Sequence, residues 1–113
     1  MTGSFHETVD FRMREVFDDP DRVRLVLSGE LDLAVAELLG DRLRHLRNAG
    51  CDVRLDLAEL DFIDSSGLRE LITAIADSRS DGWRLEIDPQ VSDAVQRTVD
   101  LAGLHSHFWP DGG

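Results

Sequence analysis

Several short stretches of the chain alternate apolar and polar residues with a period of two, which is the pattern of a half-buried β-strand. The clearest stretch runs from Val53 to Leu57, and a second runs from Val23 to Leu27. An interrupted stretch covers Phe5 to Phe17, and a short one covers Trp83 to Ile87. We therefore predict strands at these places.

Three other stretches place apolar residues at helical spacing. The first runs from Ala34 to Arg47, the second begins at about Ser66, and the third lies within Val91 to Leu104. From Val23 onward strands and helices alternate, which is typical of parallel strands joined by right-handed crossovers. Before that, the turn signal Asp18-Asp19-Pro20-Asp21 predicts an N-terminal antiparallel hairpin. We expect an α/β fold with a mixed, mainly parallel sheet of about four to five strands and about three to four helices.

The length of 113 residues predicts a single domain, residues 1–113, with an ordered core from about residue 5 to about residue 109. Near its end, Gly103 fits the left-handed position after a helix, with Leu104 folding back onto that helix. Phe108 and Trp109 are expected either to add a short strand or to cover an edge of the core.

The chain is strongly acidic, with 23 acidic and 12 basic residues and a formal net charge of −11. Nucleic acids and anionic membranes bind cationic surfaces, so neither is an expected partner, and a basic protein surface is the better complement. The single Cys51 cannot form an internal disulfide, and no N-terminal segment has the pattern of a signal peptide. We therefore expect a cytoplasmic protein, without a run of about 18 apolar residues that would span a membrane.

The segment Asp64-Ser65-Ser66-Gly67 joins a predicted strand to the second predicted helix. Any of its first three residues could accept a hydrogen bond from the free N–H groups of the first helical turn. Those N–H groups and the helix dipole favour anions, so a phosphate on either serine would be tolerated. Asp32, which ends the segment Gly29-Glu30-Leu31-Asp32, stands where the first helix needs its N-cap. Both segments follow strands, at the sheet edge where α/β proteins bind ligands and partners.

Three segments together resemble a known family. Residues Phe62 to Leu68 resemble the phosphoacceptor loop of bacterial anti-sigma factor antagonists, which are single STAS domains. Gly29 to Asp32 is similar to the Gly-Glu-Leu/Ile-Asp signature of that family. Val91 to Leu104 is similar to its last helix, including the final Gly-Leu pair. The likeness extends from about residue 5 to Leu104, with the segments in the same order and at matching spacing.

The resemblance implies a regulatory binding protein that is not an enzyme and needs no cofactor. In the family, the serine directly after the aspartate is phosphorylated by the partner anti-sigma factor, a kinase that is also the binding target. By position this serine is Ser65, with Ser66 as the alternative. The chain departs from the family at Arg69, where relatives usually carry a small or aliphatic residue. The expected partner-binding residues are Glu30, Asp32, Asp64, Ser65, Ser66 and Gly67.

Other functions fit the sequence less well. The nucleophile elbow of hydrolases needs glycine two residues before the serine, where this chain has Ile63 or Asp64. His105 and His107 have no companion pair at metal-ligand spacing, and nothing directs them toward Ser65. We therefore expect neither a metal site nor a small-molecule substrate. The alternative is a STAS interaction module without a phosphorylation switch, in a stress-signalling scaffold or a lipid-transport complex.

Overall fold

The computed structural model describes residues 2–7 and 10–110. The strands are β1 (Thr2–Glu7), β2 (Phe11–Asp19), β3 (Arg22–Leu31), β4 (Asp52–Ile63) and β5 (Leu85–Ile87). The helices are α1 (Leu33–Asn48), α2 (Ser65–Asp81), α3 (Asp93–Leu101) and α4 (His105–Phe108). The five strands form one sheet in the order β1-β2-β3-β4-β5, so the predicted α/β fold is confirmed.

The sheet is mixed. β2 pairs antiparallel with both β1 and β3, whereas β3, β4 and β5 pair parallel to one another. Only β2 therefore runs against the other four strands, as a mainly parallel sheet requires. The predicted hairpin is formed by β2 and β3, with Asp19 opposite Arg22 at its turn.

The N-terminal stretch differs from the prediction in two respects. Phe5 to Phe17 contributes to two strands, β1 and β2, which pair antiparallel. β1 begins at Thr2, before the predicted start of the ordered core at about residue 5. Met1, Thr8, Val9 and residues 111–113 lie outside the described residues.

β4 is longer than its alternation predicts because its pairing with β3 is irregular. The register shifts after Val26 and again after Gly29, and each shift inserts one additional residue into β4. The buried residues of its second half therefore recur at a spacing of three, at Leu57, Leu60 and Ile63. The two irregularities allow β4 to continue to the residue before Asp64.

One continuous apolar core lies between the sheet and the helices. It includes Leu25 and Leu55 from the central strands and Leu39 and Leu71 from α1 and α2, all fully buried. The same two helices contact each other, and α3 contacts β4. Cys51 is also buried, and burial raises the pKa of its thiol, so it is a core residue without a reactive thiolate.

The alternate positions of β3 and β4 carry charged side chains on the opposite face of the sheet. The carboxylate of Asp88 accepts hydrogen bonds from Arg24 at 3.2 Å and from Arg54 at 3.3 Å. The backbone N–H of Gln90, together with these two arginines, lowers the pKa of Asp88 below that of an ordinary carboxyl group. These ion pairs join β3 and β4 to the segment that follows β5.

The C-terminal segment covers the core at the β5 edge. Phe108 and Trp109 are buried, and the indole N–H of Trp109 donates to the carbonyl of Ile87 at 2.9 Å. The prediction that they cover an edge of the core is confirmed, through the short helix α4 and not through a strand. Gly103 adopts the predicted left-handed conformation with φ of 69°. The chain then folds back onto α3, because the N–H of Leu104 donates to the carbonyl of Val99 at 3.0 Å.

Candidate functional site

The parallel strands β3 and β4 end side by side. Leu31 and Ile63 form the last residue pair of their ladder, so the chain leaves the sheet twice at the same edge. Asp32 follows the first strand and is the N-cap of α1. Asp64 follows the second strand and is the N-cap of α2. The structure therefore brings together the two segments that the sequence had marked as functional.

Asp64 is the residue that caps α2, among the three that the sequence allowed. One of its carboxylate oxygens accepts from the N–H of Gly67 at 2.9 Å, which is the capping bond. The other accepts from the N–H of Leu33 at 3.1 Å, at the start of α1. Its own N–H donates to the carbonyl of Leu31 at 3.1 Å. Asp64 therefore links the two helix starts, and α2 begins at Ser65, one residue before its predicted start.

Gly67 allows the two helix starts to approach closely. A Cβ atom at this position would lie 2.6 Å from Cγ of Leu31 and 2.7 Å from its carbonyl oxygen. Gly67 is itself buried, and its lack of a side chain lets the two loops pack together. Asp32 caps α1 and is also half exposed, so it can serve both the fold and a contact. Its carboxylate accepts from the N–H of Ala34 at 3.0 Å.

The two serines differ in their surroundings. Ser65 is exposed and Ser66 is half-buried. Within the described part of the chain, neither hydroxyl has a hydrogen-bond partner, because Asp64 already serves as the cap. The hydroxyl of Ser65 therefore projects to solvent from the first position of α2, close to the free N–H groups of that helix.

Two large apolar side chains are exposed beside Ser65. Leu33, the first residue of α1, is 75% exposed, and Phe62, near the end of β4, is 45% exposed. Phe62 pairs in the sheet with Glu30, which is also exposed. The sequence analysis missed Leu33 and gave Phe62 no role of its own. The available signal for Leu33 was its place directly after the capping Asp32, ahead of the apolar stripe of α1.

The surroundings of this edge are acidic. A shallow cavity of about 290 Å³ lies beside it, and Asp10, Glu30 and Asp61 contribute to its wall together with Arg12. With Asp32 and Asp64 nearby, carboxylates outnumber basic groups here. The positive ends of α1 and α2 offset part of this charge. The surface is therefore best matched by a basic partner that also offers an apolar contact.

Groups that would make Ser65 a catalytic nucleophile lie elsewhere. The carbonyl of His107 accepts from Arg79 at 2.7 Å, and Arg79 is about 21 Å along α2 from Ser65. The ring of His105 lies 5.0 Å from that of Trp109, in the same region. Among residues 10–110, no three side chains are grouped so that they could bind a metal. In the same residues, no helix is long and apolar enough to cross a membrane.

Comparison with known proteins identifies the family. Residues 16–108 match a family model described as "Mlab, STAS domain". The chain belongs to the STAS domain family. The anti-sigma-B factor antagonist of Bacillus subtilis (strain 168) is 26% identical to this STAS domain over 90 residues, which are 80% of this chain and 82% of the relative.

Solved structures share the fold of this STAS domain. An anti-sigma factor antagonist from Mycobacterium paratuberculosis superposes with a TM-score of 0.66 at 18% identity, over 96% of this chain and 84% of that one. The anti-sigma factor antagonist SpoIIAA in its unphosphorylated form gives a TM-score of 0.68 at 20% identity, over 81% of each chain. The phosphorylated form of the Bacillus SpoIIAA gives 0.63 at 20% identity, over 81% of this chain and 84% of that one. The family predicted from the sequence is thus confirmed.

Proposed function

We propose that this STAS domain is an anti-sigma factor antagonist of the cytoplasm. Unphosphorylated, it binds an anti-sigma factor that is also a serine kinase, and phosphorylation of Ser65 releases that partner, which regulates sigma-factor-dependent transcription. Relatives that carry the name anti-sigma factor antagonist support the general role. The observation that carries the proposal is the exposed Ser65 at a helix start, on the same sheet edge as the exposed Leu33 and Phe62.

The six residues expected at the interface divide into two groups by their role in the structure. Glu30 and Ser65 are exposed and Asp32 and Ser66 are half-buried, so these four offer surface to a partner. Asp64 and Gly67 hold the loops in place and act on the partner through that geometry. We add Leu33 and Phe62 to the contact residues, because buried apolar anchors within a polar rim provide most of the binding energy in protein interfaces.

In the proposed reaction, Oγ of Ser65 attacks the γ-phosphorus of ATP that is bound to the partner kinase. The bond between that phosphorus and the β–γ bridging oxygen breaks, ADP leaves, and the hydroxyl proton passes to a base of the kinase. The STAS domain contributes the hydroxyl and the docking surface. ATP and its metal ion belong to the partner.

The switch is a change of charge within an interface. Phosphorylation adds about −1.5 to −2 charges at neutral pH. The start of α2 stabilises such an anion by about 0.3–2 kcal/mol, so the domain stays folded. Burial of an imperfectly paired charge against the partner costs about 2–5 kcal/mol, which weakens binding by about 30-fold to several thousand-fold. Docking is therefore lost while the fold is kept.

A pulldown followed by a kinase assay tests this function. The immobilised domain is incubated with ATP-depleted extract of the source cells, and retained proteins are identified by mass spectrometry. We expect a kinase-like anti-sigma factor that, once ATP is added, phosphorylates the wild type and Ser66→Ala but not Ser65→Ala. Equal phosphate incorporation into Ser65→Ala would disprove Ser65 as the acceptor, and capture of no kinase-like protein would count against the whole proposal.

The exposed leucines allow a matched test of the docking surface. Leu33→Ala is expected to weaken binding of the retrieved partner by about tenfold or more, because it removes an apolar anchor. Leu101→Ala, which truncates a similarly exposed leucine of α3 outside this surface, should leave binding unchanged. Both variants should melt at the wild-type temperature. Equal binding by the two variants would remove Leu33 from the interface.

The second candidate is a STAS interaction module without a phosphorylation switch, since Leu33 and Phe62 provide a docking surface in either case. Partner binding would then depend on Leu33, while the kinase assay would give no phosphate on Ser65. These two measurements together separate the candidates.

A further inference from the structure

Arg69 lies one helical turn after Ser65 on α2. Residues four positions apart on a helix lie on the same face, with their Cβ atoms about 5–6 Å apart. Helical side chains also tilt toward the N-terminus of their helix, so a long side chain covers the preceding turn. The guanidinium of Arg69 is therefore within reach of any group that is attached to Oγ of Ser65.

Among residues 10–110 this arginine has no structural partner. The residues three and four positions away along α2 are Ser65, Ser66, Ile72 and Thr73, so no acid adjoins it on the helix face. Arg69 is exposed, and across residues 10–110 it makes no ion pair and no side-chain hydrogen bond. Several other helical arginines are engaged, as Arg47 is with Asp77 at 3.2 Å. Arg69 thus contributes a free cation beside the proposed acceptor.

We propose that Arg69 is the intramolecular counter-ion of phosphorylated Ser65, an inference whose cellular role rests on the proposed function. The planar guanidinium can donate two parallel hydrogen bonds to the phosphate oxygens. The free N–H groups of the first turn of α2 face the phosphate from the other side. Phosphorylation then changes the docking surface twice, because it adds an anion and also pairs the exposed cation of Arg69.

The test measures the phosphate directly and needs no kinase. Phosphoserine is incorporated at position 65 during translation, and its second ionisation is followed by phosphorus NMR from about pH 4 to about pH 8. Arg69→Gln is expected to raise the pKa of the phosphate by about 0.2–0.4 units, because the nearby cation favours the dianion. Arg69→Lys should keep most of the wild-type value. Arg97→Gln, which removes an exposed arginine from α3, should change nothing.

Two controls accompany the comparison between the wild type and Arg69→Gln. The difference between wild type and Arg69→Gln should shrink from about 0.02 M to about 0.5 M salt, because screening weakens an exposed ion pair. The unphosphorylated Arg69→Gln protein should melt with the wild type, which excludes a purely structural role.

An unchanged phosphate pKa in folded Arg69→Gln at low salt would overturn the inference. A rise that persists at high salt would do the same, because it would indicate a rearranged helix start. Neither result bears on whether Ser65 is the kinase substrate, and a failed kinase assay would leave the measured ion pair intact.

Discussion

Replacement of Asp64 by asparagine tests whether one carboxylate joins the two helix starts. Asp64 accepts from the N–H of Gly67 with one oxygen and from the N–H of Leu33 with the other. Asparagine caps helices about as well as aspartate, so the first bond can be kept. Its amide has only one oxygen, however, and in either orientation one of the two N–H groups loses its acceptor.

Asp32→Asn provides the matched control for the size of this effect. The Asp32 side chain accepts one capping bond, from Ala34, which asparagine can replace. Both variants lose a negative charge at a helix start, which costs each about 0.3–1 kcal/mol. The difference between them therefore isolates the bond to Leu33. Because that bond involves a charged acceptor but is exposed, we expect a difference of about 1–2 kcal/mol.

Urea unfolding at neutral pH, followed by tryptophan fluorescence and circular dichroism, measures both free energies of unfolding. Asp64→Asn should be the less stable variant by the stated amount, with an unchanged dependence on urea. Equal losses in the two variants would refute the idea that Asp64 links α1 to α2, and would reduce its role to that of an ordinary cap.

Three further outcomes follow from the same contacts. Gly67→Ala should lower the free energy of unfolding by about 1–3 kcal/mol in urea titrations. Gly40→Ala is the control, because the nearest atoms to its methyl group belong to the flexible carboxylate of Glu70; it should change the free energy of unfolding by less than about 1 kcal/mol. Ser65→Asp should melt at or above the wild type but bind the partner more weakly by calorimetry, because the helix start favours an anion that the interface does not. Asp88→Asn should destabilise the protein near pH 7 and progressively less below about pH 4. The reason is that a carboxyl group whose pKa is lowered by folding stabilises the protein in its charged form, and this stability is lost as the pH falls through the pKa of the folded state. Urea unfolding midpoints of both proteins across this pH range measure the difference.

Local periodicity was sufficient to predict most strands and helices, because one face of each is buried in the core. The prediction was incomplete where that periodicity changes. The alternation from Val53 to Leu57 indicated a strand but not its extension to Ile63, because two register shifts place Leu60 and Ile63 in the core at a spacing of three. Bulges depend on the neighbouring strand, which a local pattern does not contain.

At the candidate site, too, some features could be predicted from the sequence and others depend on how the strands pair. That Asp32 and Asp64 lie at one edge follows from consecutive parallel strands and could be predicted. The hydrogen bond from the N–H of Leu33 to Asp64 could not be predicted, because it depends on the register between β3 and β4. The exposure of Phe62 was also beyond sequence reasoning, since phenylalanine is more often buried and only the packed structure shows where it remains open.

The contact between Leu33 and Asp64 spans 31 positions in the chain. The two loops that carry these residues meet only after β3 and β4 have paired. Parallel pairing of strands that are so far apart in the chain is a slow step of folding. A shift of one residue in the register between β3 and β4 would also turn the side chains of β4 to the wrong face of the sheet. A nascent or misregistered chain therefore carries the serine motif without the surface around it. A partner that recognises the assembled surface, and not the linear motif, engages only molecules that have completed folding.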